Sequence, residues 1–108
     1  MKLIIGGAYQ GKREYAETHF DGAQIITDFH LIVKDWIANG EDPLEMLAIN
    51  LVDYQDLVII SDDISCGVVP DDPKLRFWRE SMGRVLTRIS QESDEVIRVF
   101  CGIGVRLK

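Results

Sequence analysis

Apolar positions along this chain follow two rhythms that alternate from one end to the other. Short apolar runs at 3–5, 23–27, 57–60 and 95–100 read as strands, each bounded by polar or turn-forming residues. The clearest is Leu57-Val58-Ile59-Ile60, an unbroken apolar run, mostly β-branched, that predicts burial on both faces of a sheet. Between these runs the apolar spacing changes to three and four residues, the period of a helix. Residues 12–19 place Tyr15, Ala16 and His19 on one face and Arg13, Glu14 and Glu17 outside it, with Asp21-Gly22 as a stop. Phe29, Ile32, Val33, Trp36 and Ile37 form a stripe over 29–38, closed by Asn39-Gly40. Asp42-Pro43 reads as the cap and first residue of a helix bearing Leu44, Leu47, Ala48, Leu51 and Val52. Asp72-Pro73 repeats that start for a helix to about Ser90 through Leu75, Trp78, Met82, Val85, Leu86 and Ile89. Residues 61–70 read as an irregular loop, and 103–108 as a short tail.

Strands separated by helices imply parallel pairing, so the pattern predicts an α/β fold with a small, mostly parallel sheet of four main strands between helical layers. Ligands of such sheets bind beyond the carboxyl ends of the strands. Three of the predicted strand ends carry Gly6–Lys12, Asp28 and the pair Asp62-Asp63.

Composition narrows this without redirecting it. The chain has 108 residues, the size of a single domain spanning 1–108, with 46% hydrophobic and 28% charged content. Its net charge of −6 argues against nucleic acid or an anionic membrane as a partner, while a glycine-loop phosphate site works through local dipoles and needs no basic surface. No apolar run approaches the ~20 residues of a membrane span, and no signal-peptide core stands at the N-terminus; a cytoplasmic location is the expectation. Cys66 and Cys101 lack metal-ligand spacing and read as free thiols with no catalytic role.

The candidate chemistry is concentrated in Gly6-Gly7-Ala8-Tyr9-Gln10-Gly11-Lys12, which has the G-x-x-x-x-G-K spacing of a phosphate-binding loop. It stands where such a loop must, between a predicted strand and a predicted helix. Glycine permits the backbone angles that aim successive N–H groups at phosphate oxygens, and the helix start adds unpaired N–H groups and the positive end of its dipole. Lys12 would supply a mobile charge for the terminal phosphates; the bland alternative is an exposed lysine in a first helical turn. The position after the lysine departs from the pattern. Where a Ser or Thr would hold Mg²⁺ there is Arg13, which cannot ligate a metal but can fork onto a phosphate.

These stretches resemble a known family, the bifunctional adenosylcobinamide kinase/adenosylcobinamide-phosphate guanylyltransferases of cobalamin biosynthesis. IIGGAYQGKREYAE is similar to that family's opening G-G-A-R-S-G-K-S loop. Residues 61–70, SDDISCGVVP, resemble its N-E-V-G-x-G-I-V-P. Without a gap, Arg76-Phe77-Trp78-Arg79-Glu80 and Gly83-Arg84-Val85 resemble its R-x-F-R-D-x-x-G-x-x-N-Q, and residues 101–108 its S-G-I-x-x-x-x-K ending. The family's Asn-Glu is Asp62-Asp63 here, and its Asn-Gln is Leu86-Thr87. The segment between the first helix and the strand at 25–27 is shorter than in the family and lacks the histidine that takes up GMP there; neither His19 nor His30 sits in a comparable motif.

The resemblance implies a P-loop NTPase-like three-layer sandwich binding ATP or GTP through Gly6, Gly7, Ala8, Tyr9, Gln10, Gly11, Lys12 and Arg13. As a kinase it would pass a phosphoryl group to a corrinoid alcohol, with Lys12, Asp28 and Asp63 catalytic, Asp28 and Asp62 on Mg²⁺, and guanylyl transfer not expected. Asp28 has a second reading as the cap of the 29–38 helix, and only one of Asp62 and Asp63 need face the site. Arg76 and Arg79 share a helical face and could clamp an anion or simply form exposed ion pairs. Besides the kinase, a relative that binds nucleotide without turnover and a homo-oligomeric scaffold without a ligand are compatible with these residues.

Overall fold

The computed structural model describes residues 1–50, 56–64 and 69–108. The elements are β1 (Lys2–Gly6), α1 (Lys12–His19), β2 (Gln24–Ile26), α2 (Phe29–Ala38), α3 (Pro43–Asn50), β3 (Leu57–Asp62), α4 (Pro73–Glu92), β4 (Glu95–Phe100) and β5 (Ile103–Arg106). The strands form one sheet in the order β2-β3-β1-β4-β5. β1 lies between β3 and β4, parallel to both, and β2 extends the parallel set beyond β3. Strand alternation gives the sheet two apolar faces. Val58 and Ile60 join Ile4, Ile97 and Val99 under Ala16 of α1. Leu57 and Ile59 join Leu3 and Val96 on the opposite face, under Phe29 and Val33 of α2, Leu47 of α3, and Met82, Val85 and Ile89 of α4. All of β3 from Leu57 to Ile60 is buried, as its unbroken apolar run predicts. One helix on one face and three on the other make the three-layer α/β sandwich.

Both Asp-Pro helix starts hold. The Asp72 carboxylate accepts the Lys74 N–H at 2.8 Å, and that of Asp42 accepts the Leu44 N–H at 3.0 Å. Asp72→Ala is expected to lower stability by about 1 kcal/mol, read as a lower urea midpoint with an unchanged m-value.

The expected tail at 103–108 is instead a strand. β5 runs antiparallel to β4, with Phe100 opposite Ile103 and Ile97 opposite Arg106. Cys101 and Gly102 form the connecting two-residue turn, with φ of 50° and 76°. Positive φ at both central residues is the type I′ geometry whose twist matches a hairpin. β3 also continues past the expected 57–60 to Asp62, in register with Gly6 of β1. Helical positions Leu51 and Val52, and Cys66 within the loop at 61–70, lie outside the described residues. No helix among the described residues is long and apolar enough to cross a membrane.

Candidate functional site

The loop between β1 and α1 sits at the carboxyl ends of the parallel strands, where this topology leaves room for a ligand. Gly6 closes β1 against β4, so a Cβ there would lie 2.4 Å from the Val99 carbonyl oxygen. Gly11, at φ 89°, turns the chain into α1 without a side-chain cap. The first-turn N–H groups of α1 are thus unclaimed by a capping side chain, although the Tyr15 N–H does bond the Gly11 carbonyl at 3.0 Å. Tyr9, at φ 58°, is fully exposed on the loop.

Gln10 is tied to the β4–β5 turn. Its Oε1 accepts the Cys101 N–H and its carbonyl accepts the Gly102 N–H, both at 2.7 Å. The β4–β5 turn therefore braces the loop from behind, and a Cβ at Gly11 would come within 3.3 Å of the Gly102 Cα.

Lys12 is not the exposed lysine of the bland reading: only 8% of it is accessible. Its ammonium donates to the Gly7 carbonyl at 2.6 Å and pairs with Asp62 Oδ1 at 2.7 Å. The other Asp62 oxygen lies 3.5 Å from His30 Nε2, and the Asp62 N–H donates to His30 Nδ1 at 3.1 Å. His30, which carried no assigned role in the sequence, is buried under Trp78, whose indole N–H donates to the His30 carbonyl at 2.9 Å. The signal for this contact was weak, because a single histidine near the start of a helix has no local partner that marks it.

Lys12 and Asp62 open onto a cleft of about 430 Å³ lined also by Ala8, Tyr9, Gln10, Gly11, Arg13, Glu14, Thr27, Asp28 and Ile60. Of the two readings of Asp28, capping finds no side-chain hydrogen bond, and the residue takes a left-handed φ of 52°. A non-glycine residue held in that region is strained by about 1–3 kcal/mol, a condition common at ligand sites. Thr27 adds a hydroxyl beside it that the sequence reading passed over. Asp63 is not brought into the cleft: it borders a separate depression with Ile5, Leu86 and Thr87. Its N–H donates to the Gly6 carbonyl, so the two adjacent carboxylates leave the strand in different directions.

Arg13 borders the cleft but is largely exposed and pairs with Glu17 at 3.2 Å, one helical turn on. Arg76 and Arg79 on α4 do not line the cleft, and His19 stacks on Tyr15 at 3.9 Å between ring centroids. Two cations, Lys12 and Arg13, and three carboxylates, those of Glu14, Asp28 and Asp62, thus border one cleft. Among the described residues no cluster of three or more His, Cys, Asp or Glu forms a cage for a metal ion. The strand-end carboxylates on this cleft, Asp28 and Asp62, still suit Mg²⁺, which keeps most of its shell as water and phosphate oxygens.

A family model described as cobinamide kinase / cobinamide phosphate guanyltransferase matches residues 30–107, a stretch that starts after the glycine loop. The bifunctional adenosylcobalamin biosynthesis protein CobU of Salmonella typhimurium is 36% identical over 52 residues. Its counterpart in Escherichia coli is 33% identical over 52 residues. Each alignment covers 48% of this chain and only 29% of the relative. With the family match running from α2 through β5, this chain belongs to the cobinamide kinase / cobinamide phosphate guanyltransferase family.

Proposed function

We propose that this chain binds ATP or GTP at the Gly6–Lys12 loop and transfers a phosphoryl group to the alcohol of a corrinoid such as adenosylcobinamide. One observation carries the proposal: the buried ammonium of Lys12 is paired with Asp62 at the mouth of a cleft that also holds a glycine loop and a helix start. Lys12 would leave Asp62 for the β- and γ-phosphates and neutralise charge as it builds on the transferred group. Gly11 and the first turn of α1 would offer N–H groups to the phosphates. Gln10 would set the shape of the loop, since its side-chain oxygen is committed to the Cys101 N–H. Asp28 and Asp62 would hold Mg²⁺, which when bound offsets phosphate charge that this carboxylate-rich cleft cannot offset alone. Asp28, on the exposed side of the cleft, would also take the proton from the attacking alcohol. Asp63 falls outside this mechanism. His30 is engaged with Asp62 and His19 with Tyr15, so the proposal includes no guanylylated histidine.

Arg13 favours a second reading, binding without turnover, because the hydroxyl that would order Mg²⁺ is replaced by an arginine paired to Glu17. Calorimetric titration with ATP and GTP, with and without Mg²⁺, followed by an assay of phosphate transfer to adenosylcobinamide, tests both. Binding with transfer supports the kinase, binding alone the second reading, and no binding at millimolar nucleotide overturns both. Arg13→Ser is expected to strengthen the Mg²⁺ dependence of binding by roughly tenfold in the same titration, the scale on which groups around a metal act.

A further inference from the structure

We propose that His30 is a positioning residue, the group that keeps Asp62 aimed into the cleft once Lys12 has left it for a phosphate. The inference rests on the nucleotide-binding reading above and assigns that site a residue which neither the loop motif nor the strand-end carboxylates include.

The geometry has three parts. First, His30 meets one residue at two points, by one hydrogen bond and one close approach. Its Nδ1 accepts the Asp62 backbone N–H at 3.1 Å, so the ring proton belongs on Nε2, and Nε2 stands 3.5 Å from Asp62 Oδ2. Second, the ring is itself fixed. It is buried, its carbonyl accepts the Trp78 indole N–H at 2.9 Å, and the Trp78 ring stacks on it with centroids 6.3 Å apart. Third, the two Asp62 oxygens are divided between partners, Oδ1 to Lys12 and Oδ2 to His30.

A phosphate that draws Lys12 away strips Oδ1 of its partner but leaves the His30 contacts untouched. Asp62 is about a quarter exposed, so without a second anchor its carboxylate would be free to turn out to solvent. A neutral N–H donor suits this task. Standing 3.5 Å from Oδ2, it biases the carboxylate's direction without adding a cation that would compete with a divalent ion for the same oxygens. This is the arrangement in which an outer partner orients a ligand residue, and loss of such partners costs about 10- to 100-fold in metal affinity or activity.

The test compares His30→Asn, which keeps an acceptor near the Nδ1 position and loses the outer donor, with His30→Gln, whose amide N–H can reach the Nε2 position. ATP affinity is measured by calorimetry with and without Mg²⁺, and folding is checked by circular dichroism. His30→Asn is expected to lose about tenfold of the Mg²⁺-dependent tightening while metal-free affinity changes little, and His30→Gln is expected to restore most of it. Equal weakening with and without Mg²⁺ would mark a merely structural residue and overturn the inference, as would an unchanged Mg²⁺ response in His30→Asn. Imidazole ¹⁵N spectra of the unaltered protein give a reading that no variant's folding can obscure. The Nε2–H tautomer is expected both before and after Mg²⁺–ATP is added, and its loss on binding would overturn the proposal. If the unaltered protein binds no nucleotide, the parent reading fails and this one with it; if it binds and His30→Asn responds normally to Mg²⁺, only this one fails.

Discussion

Lys12→Ala should weaken nucleotide binding by roughly 10- to 100-fold, the scale of losing charge-assisted hydrogen bonds to phosphate oxygens. The same change should also cost the free protein stability. Lys12 is buried, and its ammonium is shared by the Gly7 carbonyl and Asp62, so alanine leaves two acceptors short of a donor. Breaking a buried ion pair by removing one partner costs about 3–5 kcal/mol, and the partial exposure of Asp62 places this case near the lower figure. The two effects separate in a double-mutant cycle. Asp62→Asn in the Lys12→Ala background removes the stranded charge and should recover a large part of the lost stability, while nucleotide affinity stays low. Urea unfolding of the four proteins and calorimetric titration of each provide the measurements. A stability loss under about 1 kcal/mol for Lys12→Ala would show that the ion pair is not held in solution as it is here.

Gly6→Ala is the second change with a large expected effect. The added Cβ would stand 2.4 Å from the Val99 carbonyl oxygen, a backbone atom of the neighbouring strand that cannot swing aside as a side chain can. β1 and β4 would have to part at the point where the chain leaves the sheet for the loop, at a cost of about 3 kcal/mol. Gly7→Ala is the matched control. Its Cβ would meet only Gln10 Cγ, at 3.7 Å, and stability should change by no more than about 0.5 kcal/mol. Similar urea midpoints for the two variants would contradict this account of the loop's rear wall.

The four parallel strands and the four helices were legible because each repeats one period long enough to be read locally. β3 is all apolar because both its faces are covered, and α4 keeps a stripe through Met82, Val85 and Ile89. β5 escaped because it buries little: Ile103 and Val105 remain more than half exposed, and Cys-Gly is not a common hairpin turn pair. At the site, the loop, Lys12, Asp28 and Asp62 come together as strand-end logic requires. What could not be read was direction. Asp62 and Asp63 are equivalent in sequence, and only the pleat sends one to Lys12. Gln10 reads as a residue of the loop, and nothing near it in sequence marks the turn 91 residues away that its side chain accepts from. His30 meets Asp62 only because the start of α2 lies over the end of β3, 32 residues further along the chain.

The brace between Gln10 and the Cys101-Gly102 turn also fixes when the site can come into being. The loop precedes the rest of the sheet in the chain, yet its rear contacts belong to a hairpin made some ninety residues later. β1 must likewise wait for β3 before its first edge is paired and for β4 before its second. Contacts so distant along the chain close slowly, because the loop-closure entropy falls due before the contacts repay it. The segment that would cradle a phosphate is therefore the first part of the fold to be translated and among the last to take its shape, so a nascent chain should acquire nucleotide affinity only after residue 102 has emerged and folded back.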